Sequence, residues 1–237
     1  MPDLPLASQT VGALVAADYR RAAALKRFGI DFCCGGGLPL ADACARRGVD
    51  VAEVVAAVEA ESAHAPNAAL PRMDTWPPAL LADYIVHAHH GYVREHVPAL
   101  RAFTQKVARV HGGERPALHA IAETFDALAT ELEAHLAAEE TEVFPLIRAV
   151  ADGTADADAL ARLVGAMEDD HDAAGAALRE LRRLSDDYTP PDGACATYRA
   201  AFVGLEAFED DLHRHVHLEN NVLFPRALAL AGAAADA

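Results

Sequence analysis

Apolar positions recur at steps of three and four along four long stretches of the chain, about 78–111, 116–150, 157–187 and 194–230. That period predicts amphipathic helices, each turning one stripe toward a shared core. The breaks between them, "HGGERP", "ADGTAD" and "DDYTPPDGA", are rich in Gly, Pro and Asp, residues that stop helices. Connections this short join antiparallel neighbours, so the pattern predicts an up-down-up-down four-helix bundle.

Upstream the periods are shorter. Thr10 is placed to cap a helix over residues 11–28 with Gly29 as its stop, and "DFCCGGGLPLADACARRGV" reads as a Gly-rich turn and a short helix ending near Gly48. Asp50 and Glu53 form a capping box for a further helix reaching about Glu61. The stretch "SAHAPNAALPRMDTWPP" has no helical period and reads as a linker. The expected organisation is all-α: a small helical domain with two adjacent cysteines over residues 1–61, a linker over 62–77, and the bundle over 78–237.

Composition agrees and narrows the function. The 237 residues are 52% hydrophobic and carry a formal charge of −16, with no Lys/Arg-rich run, so nucleic acid is a poor partner. No apolar stretch approaches the roughly 18 residues that span a bilayer, and the first residues do not resemble a secretory signal. The expectation is a cytoplasmic protein whose four cysteines are reduced thiols.

The chemistry lies on the stripes. In the fourth segment Leu205, Phe208 and Leu212 lead to His215, Glu219 and Val222, while His213 and His217 fall to the sides. The second segment runs through Ile121, Phe125, Leu128 and Leu132 to His135 and Glu139. In both, a Phe-Pro follows at the same distance, and all matched positions are 80 residues apart. The first stripe selects His90 from "HAHH", and the third selects His171, 81 residues later. The bundle thus reads as two copies of one helical hairpin.

Antiparallel packing brings these four imidazoles and two carboxylates to one level of the core. Buried carboxylates with no inward Lys or Arg need a cation, and mixed imidazole and carboxylate donors suit iron, manganese or zinc. Two glutamates from opposite hairpins suit bridging between two ions with two histidines each. A dinuclear iron centre is the best match, and a single zinc is the alternative. Six residues fill about eight of about twelve positions on two irons, which leaves room for a bridging oxygen and a small exchangeable ligand.

"FGIDFCCGGG", "HHGYVREHVPAL", "HLAAEETEVFPLI", "EDDHDAAG" and "HVHLENNVLFPRAL" together resemble the repair-of-iron-centres family, hemerythrin-like proteins with a double-Cys N-terminal domain. The resemblance covers nearly the whole chain. It implies a bacterial cytoplasmic protein with two non-haem iron ions, oxo- and carboxylate-bridged, that helps restore iron–sulfur clusters damaged by oxidative or nitrosative stress. Labile iron and nitric oxide chemistry are both implied as means. The family's metal ligands fall on His90, His135, Glu139, His171, His215 and Glu219, the six residues the stripes select. Its acidic channel positions fall on Glu131 and Asp170, the latter a shorter side chain than the family's.

The implied partners are damaged iron–sulfur proteins, with nitric oxide or oxygen as small ligands; the oligomeric state, a homodimer included, stays open. Cys33 and Cys34 read either as thiols that accept a ligand, cycle in redox or touch the client, or as part of a domain that merely packs or dimerises. Cys44 and Cys195 read as packing residues, and His87, His89, His96, His213 and His217 as solvated or supporting side chains. A hemerythrin-like oxygen or nitric oxide carrier or sensor, and a di-iron nitric oxide reductase, are the alternative functions.

Overall fold

The computed structural model describes residues 5–63, 71–151 and 156–235. Among them there is no strand, only an isolated bridge between Thr10 and Pro39. Part of the expected linker, residues 64–70, lies outside the described residues.

Among the described residues, the N-terminal part holds four short α-helices where three were expected: α1 (Val11–Ala17), α2 (Arg21–Arg27), α3 (Leu40–Arg47) and α4 (Val51–Ala63). The expected helix over 11–28 is broken at Asp18, whose backbone is extended. Its carboxylate accepts from the Arg20 amide at 3.1 Å and from the Arg20 guanidinium at 2.8 and 2.7 Å. Such local side-chain bonds offer the backbone an alternative to continuing the helix. Thr10 Oγ1 accepts from the Ala13 amide and Gly48 takes the left-handed φ of 69°, as expected, while Asp50 Oδ1 caps its helix through the Ala52 amide and not through the amide of Glu53 that a capping box would use.

Three of the four long segments are composite. The first runs as α5 (Pro78–Ile85), a π-helical turn (Val86–His90) and α6 (Gly91–His111). The second is α7 (Ala117–Ala138), a π turn (Glu139–Val143) and α8 (Phe144–Ala151). The third is the uninterrupted α9 (Ala157–Leu184). The fourth is α10 (Ala196–Leu218), a π turn (Glu219–Leu223) and α11 (Phe224–Ala235). Pro145 and Pro225 have no N–H to give to the turn behind them, which frees carbonyls where the second and third π turns widen.

α9 ends before residue 187 because Asp186, Asp187 and Tyr188 all take positive φ, between 52° and 55°. That backbone is unfavourable for L-residues. The buried Tyr188 offsets it, with its hydroxyl donating to Glu209 at 2.7 Å and the Arg182 guanidinium 4.9 Å from its ring centre.

α6 packs on α7 and α10, and α7 on α9, as an antiparallel bundle requires. The apolar core is not continuous. One cluster joins the N-terminal helices to Val97, Phe125, Leu132, Phe208 and Leu212; the other holds Ile85, Phe144, Ile147, Val164, Val222 and Phe224. A layer of buried polar side chains lies between them.

Candidate metal centre

That layer contains the six stripe residues. His90, Glu139, His215 and Glu219 are fully buried, and His135 and His171 nearly so. His90 is the last residue of the first π turn, and Glu139 and Glu219 are the first residues of the other two. Each π turn therefore ends or begins on a donor, in keeping with the frequency of π turns at functional sites.

The donors form two overlapping sets: His90, Glu139, His215 and Glu219, and His135, Glu139, His171 and Glu219. Both glutamates belong to both. Glu139 Oε2 is 3.2 Å from His90 Nε2, while its Oε1 is 3.3 Å from His135 Nε2. Glu219 Oε1 is 3.1 Å from His215 Nε2, and its Oε2 is 3.2 Å from His171 Nε2. Each carboxylate thus offers one oxygen to each histidine pair.

The outward nitrogens explain why the inner ones face the cavity. His90 Nδ1 is 2.6 Å from Glu140, His135 Nδ1 is 3.1 Å from Asp170, and His171 Nδ1 is 2.8 Å from Asn220 Oδ1. An acceptor at Nδ1 assigns the proton to that nitrogen and leaves the Nε2 lone pair pointing inward. Phe144 stacks on His90 and Phe224 on His171, so the Phe-Pro repeat seals the centre from below in both hairpins.

These side chains fit a metal better than they fit one another. Both oxygens of Glu139 and Glu219, and Nε2 of His90 and His215, are buried without an aligned hydrogen bond. Two anionic carboxylates left so would cost several kcal/mol. Protons on the histidines would offset the same charge. Burial pushes His135 down, but its contact with Glu139 and the charges of Glu139 and Glu219 outweigh this and raise it to about 9. His90 and His171 are raised by the same opposition, and His171 and His215 hold Glu219 well below the carboxylate range. Cations would displace those protons and satisfy every inward atom.

One cavity, ≈ 340 Å³, reaches the centre from outside, lined by Glu131 and Asp170 at its polar side and by His135, His171 and His215 at its floor. Asp170 touches His135; Glu131 stands on the exposed wall. The matching position on the other side is closed. His89 Nδ1 lies 2.9 Å from Asp211, and the His89 ring stacks on His215 with centroids 5.7 Å apart.

Several side chains lie elsewhere than expected. Of the histidines read as solvated or supporting, His89 and His217 are buried, and His89 supports the centre by stacking on His215. His217 faces the Phe32 carbonyl at 3.4 Å, and burial holds it down at about 4, so it stays neutral. Cys195 is exposed rather than packed, with its sulfur 3.5 Å from His111, because it precedes α10 at the rim of the bundle. Cys44 is buried as expected. Glu140 and Asn220 were not foreseen, yet each directly follows a stripe glutamate, and they share its spacing of 80.

The double-Cys turn rests on the bundle beside this centre. Asn221 donates to the carbonyls of Cys33 at 2.8 Å and Phe32 at 3.3 Å. Its side chain fits there because positions 12 and 36 are glycines, where any Cβ would collide with it. The Cys34 sulfur reaches within 3.6 Å of the His171 carbonyl oxygen.

Comparison with known proteins gives two family matches. The hemerythrin HHE cation binding domain matches residues 81–227, and a domain of unknown function (DUF542) matches residues 7–62. Over 223 residues the chain is 37% identical to the iron-sulfur cluster repair protein YtfE of Musicola paradisiaca, covering 93% of this chain and 96% of that one. It is 35% identical to the protein of the same name from Pectobacterium atrosepticum over the same shares. The Citrobacter koseri protein is 36% identical over 222 residues, 93% of this chain and 97% of its own.

Proposed function

This chain belongs to the hemerythrin HHE cation-binding family, and from that premise we propose that it repairs damaged iron–sulfur clusters through a centre for two iron ions. The six residues that would hold them are His90, His135, Glu139, His171, His215 and Glu219. The observation that carries the reading is the sharing of Glu139 and Glu219 between both histidine pairs, with their oxygens otherwise unsatisfied. Iron bound there supplies one-electron chemistry and open coordination for a small ligand such as nitric oxide or oxygen.

The chain's own residues do the rest. Glu140, Asp170 and Asn220 hold protons on three outward Nδ1 atoms and so keep the rings oriented. Phe144 and Phe224 exclude water from one side, and the Glu131–Asp170 cavity admits the ligand or passes iron from the other. Cys34, placed against the backbone of His171, and Cys33 beside it serve as the thiols that meet the client or its nitric oxide. The partners are damaged iron–sulfur proteins of the same compartment, the cytoplasm in this reading. No helix among the described residues is long and apolar enough to cross a membrane.

The test is metal content with Mössbauer spectroscopy on aerobically purified protein, alongside reactivation of a damaged iron–sulfur enzyme. About two coupled irons per chain are expected. Glu139→Ala and Glu219→Ala lose most of the iron and the reactivation, and His213→Ala keeps both. One zinc, or equal loss in all three variants, would overturn the reading.

A further inference from the structure

One other group of metal-type donors is assembled among the described residues, and it shares no residue with the six just described. Asp31, Cys33 and Cys34 each offer one donor atom, and the three atoms lie within 4.8 Å of one another. Both thiols are free. Asp31 is exposed, Cys34 half-buried and Cys33 buried.

Neighbouring residues of an extended chain send their side chains to opposite faces. Here they converge, because Asp31 Oδ1 gathers the turn. It accepts from the amides of Cys33 and Cys34, both at 3.0 Å, and from the Cys33 thiol at 3.2 Å. The two sulfurs are 3.9 Å apart. Two thiolates on one tetrahedral ion, each bonded at about 2.3 Å, stand about 3.8 Å from each other. A carboxylate oxygen at about 2.1 Å would stand about 3.6 Å from either sulfur, within a few tenths of an ångström of the Asp31–Cys33 separation.

The way in has the right sign. Cys34 lines a cavity of ≈ 500 Å³ together with Glu168 and Asp172, carboxylates that face it from α9. Neither carboxylate has an ion-pair partner among the described residues, so their charge favours a cation at the mouth. The protein's other two cysteines, Cys44 in α3 and Cys195 ahead of α10, have no second thiol beside them.

We propose that Asp31, Cys33 and Cys34 form a separate metal site for one thiophilic divalent ion of the Fe²⁺ or Zn²⁺ type, bound by two thiolates and one carboxylate. The fourth tetrahedral position is left to water or an incoming ligand, which makes the ion exchangeable. Binding forms two metal–sulfur bonds and one metal–oxygen bond, and the two thiols release their protons to solvent without any change of oxidation state. The site stands whatever fills the bundle centre.

Cobalt(II) is the probe. The full chain, with its bundle centre loaded with iron and its thiols kept reduced by a phosphine, is titrated with Co²⁺. About one equivalent should give the thiolate-to-cobalt charge-transfer absorption, reversed by added Zn²⁺. The Cys33→Ser, Cys34→Ser double variant should lose that absorption, and Asp31→Asn should keep it at about tenfold weaker affinity. Imidazole and carboxylate donors give no such band, so cobalt in the bundle cannot mimic it. Absence of the band in the parent chain, or its persistence in the double variant, overturns the proposal. Should the double variant not fold, alkylation of the parent decides. Zn²⁺ should protect Cys33 and Cys34 while Cys195 stays reactive, and equal alkylation rates with and without Zn²⁺ would overturn the site.

Discussion

Glu140 and Asn220 do one job in two places. Glu140 accepts from His90 Nδ1 at 2.6 Å, and Asn220 accepts from His171 Nδ1 at 2.8 Å, from positions directly after Glu139 and Glu219. The hairpin repeat thus extends beyond the inward donors to the groups that aim them. Loss of such an outer acceptor typically weakens a metal site without removing a ligand. Glu140→Ala and Asn220→Ala are each expected to lower metal affinity by about 10–100-fold in competition with a chromophoric chelator. Glu140→Gln and Asn220→Asp, which keep an acceptor, should stay near the parent. Unchanged affinity in the alanine variants would show that the rings are held by packing alone.

The repeat is broken where the centre meets solvent. Residues 131 and 170, on the open side, correspond by the repeat's spacings of 80 and 81 to residues 211 and 89 on the other. There Asp211 and His89 bond to each other and close the way in. His89→Ala should open a second route, so that a chelator strips the metal several-fold faster at unchanged starting content. Stripping at the parent's rate would mean that the Glu131 side alone limits exchange.

Asn221 holds the double-Cys turn in a notch floored by two glycines. Gly36→Ala drives a methyl group into that side chain and should release the turn. With one or two hydrogen bonds of about 1 kcal/mol lost, alkylation of Cys33 should speed up on the order of tenfold. Bundle metal content should not change. If metal is lost in parallel, the turn is part of the centre's support and not only its neighbour.

The break between α1 and α2 carries a pH dependence. The Arg20 hydrogen bonds hold Asp18 down at about 2 against the burial that would raise it. An unfolded aspartate titrates near 3.9. The stabilisation is therefore complete above about pH 4 and is lost as pH falls toward 2. Asp18→Asn should unfold at lower urea than the parent at pH 7, and the gap should shrink below pH 4. A gap independent of pH would assign the effect to the turn's shape instead of its charge.

The six inward donors were legible because each lies on a stripe of ordinary helical period, and the stripe is set by large apolar neighbours such as Phe125 and Phe208. The stripe does not mark the acceptors at 140 and 220, which stand one residue off it. His89 lies inside the π turn Val86–His90, where the wider coil brings in a residue that a 3.6-residue count places outside. His217 is buried for another reason: Phe32 and Tyr19, from turns of the N-terminal part, cover a face that the bundle alone would leave wet. The break at Asp18 was hidden because its cause, the arginine two residues on, acts through side-chain geometry and not through period.

Each donor set takes residues from both hairpins, since His90 and Glu139 meet His215 and Glu219, while His135 and Glu139 meet His171 and Glu219. A lone hairpin of this kind could complete neither set and would have to find a second copy, with the centre on the axis between them. Assembly would then depend on concentration, and dilution would empty the site. Carried in one chain, the two halves face each other at an effective concentration set by their short connection. Holding metal thereby becomes a property of the single molecule, independent of how much of it the cell makes.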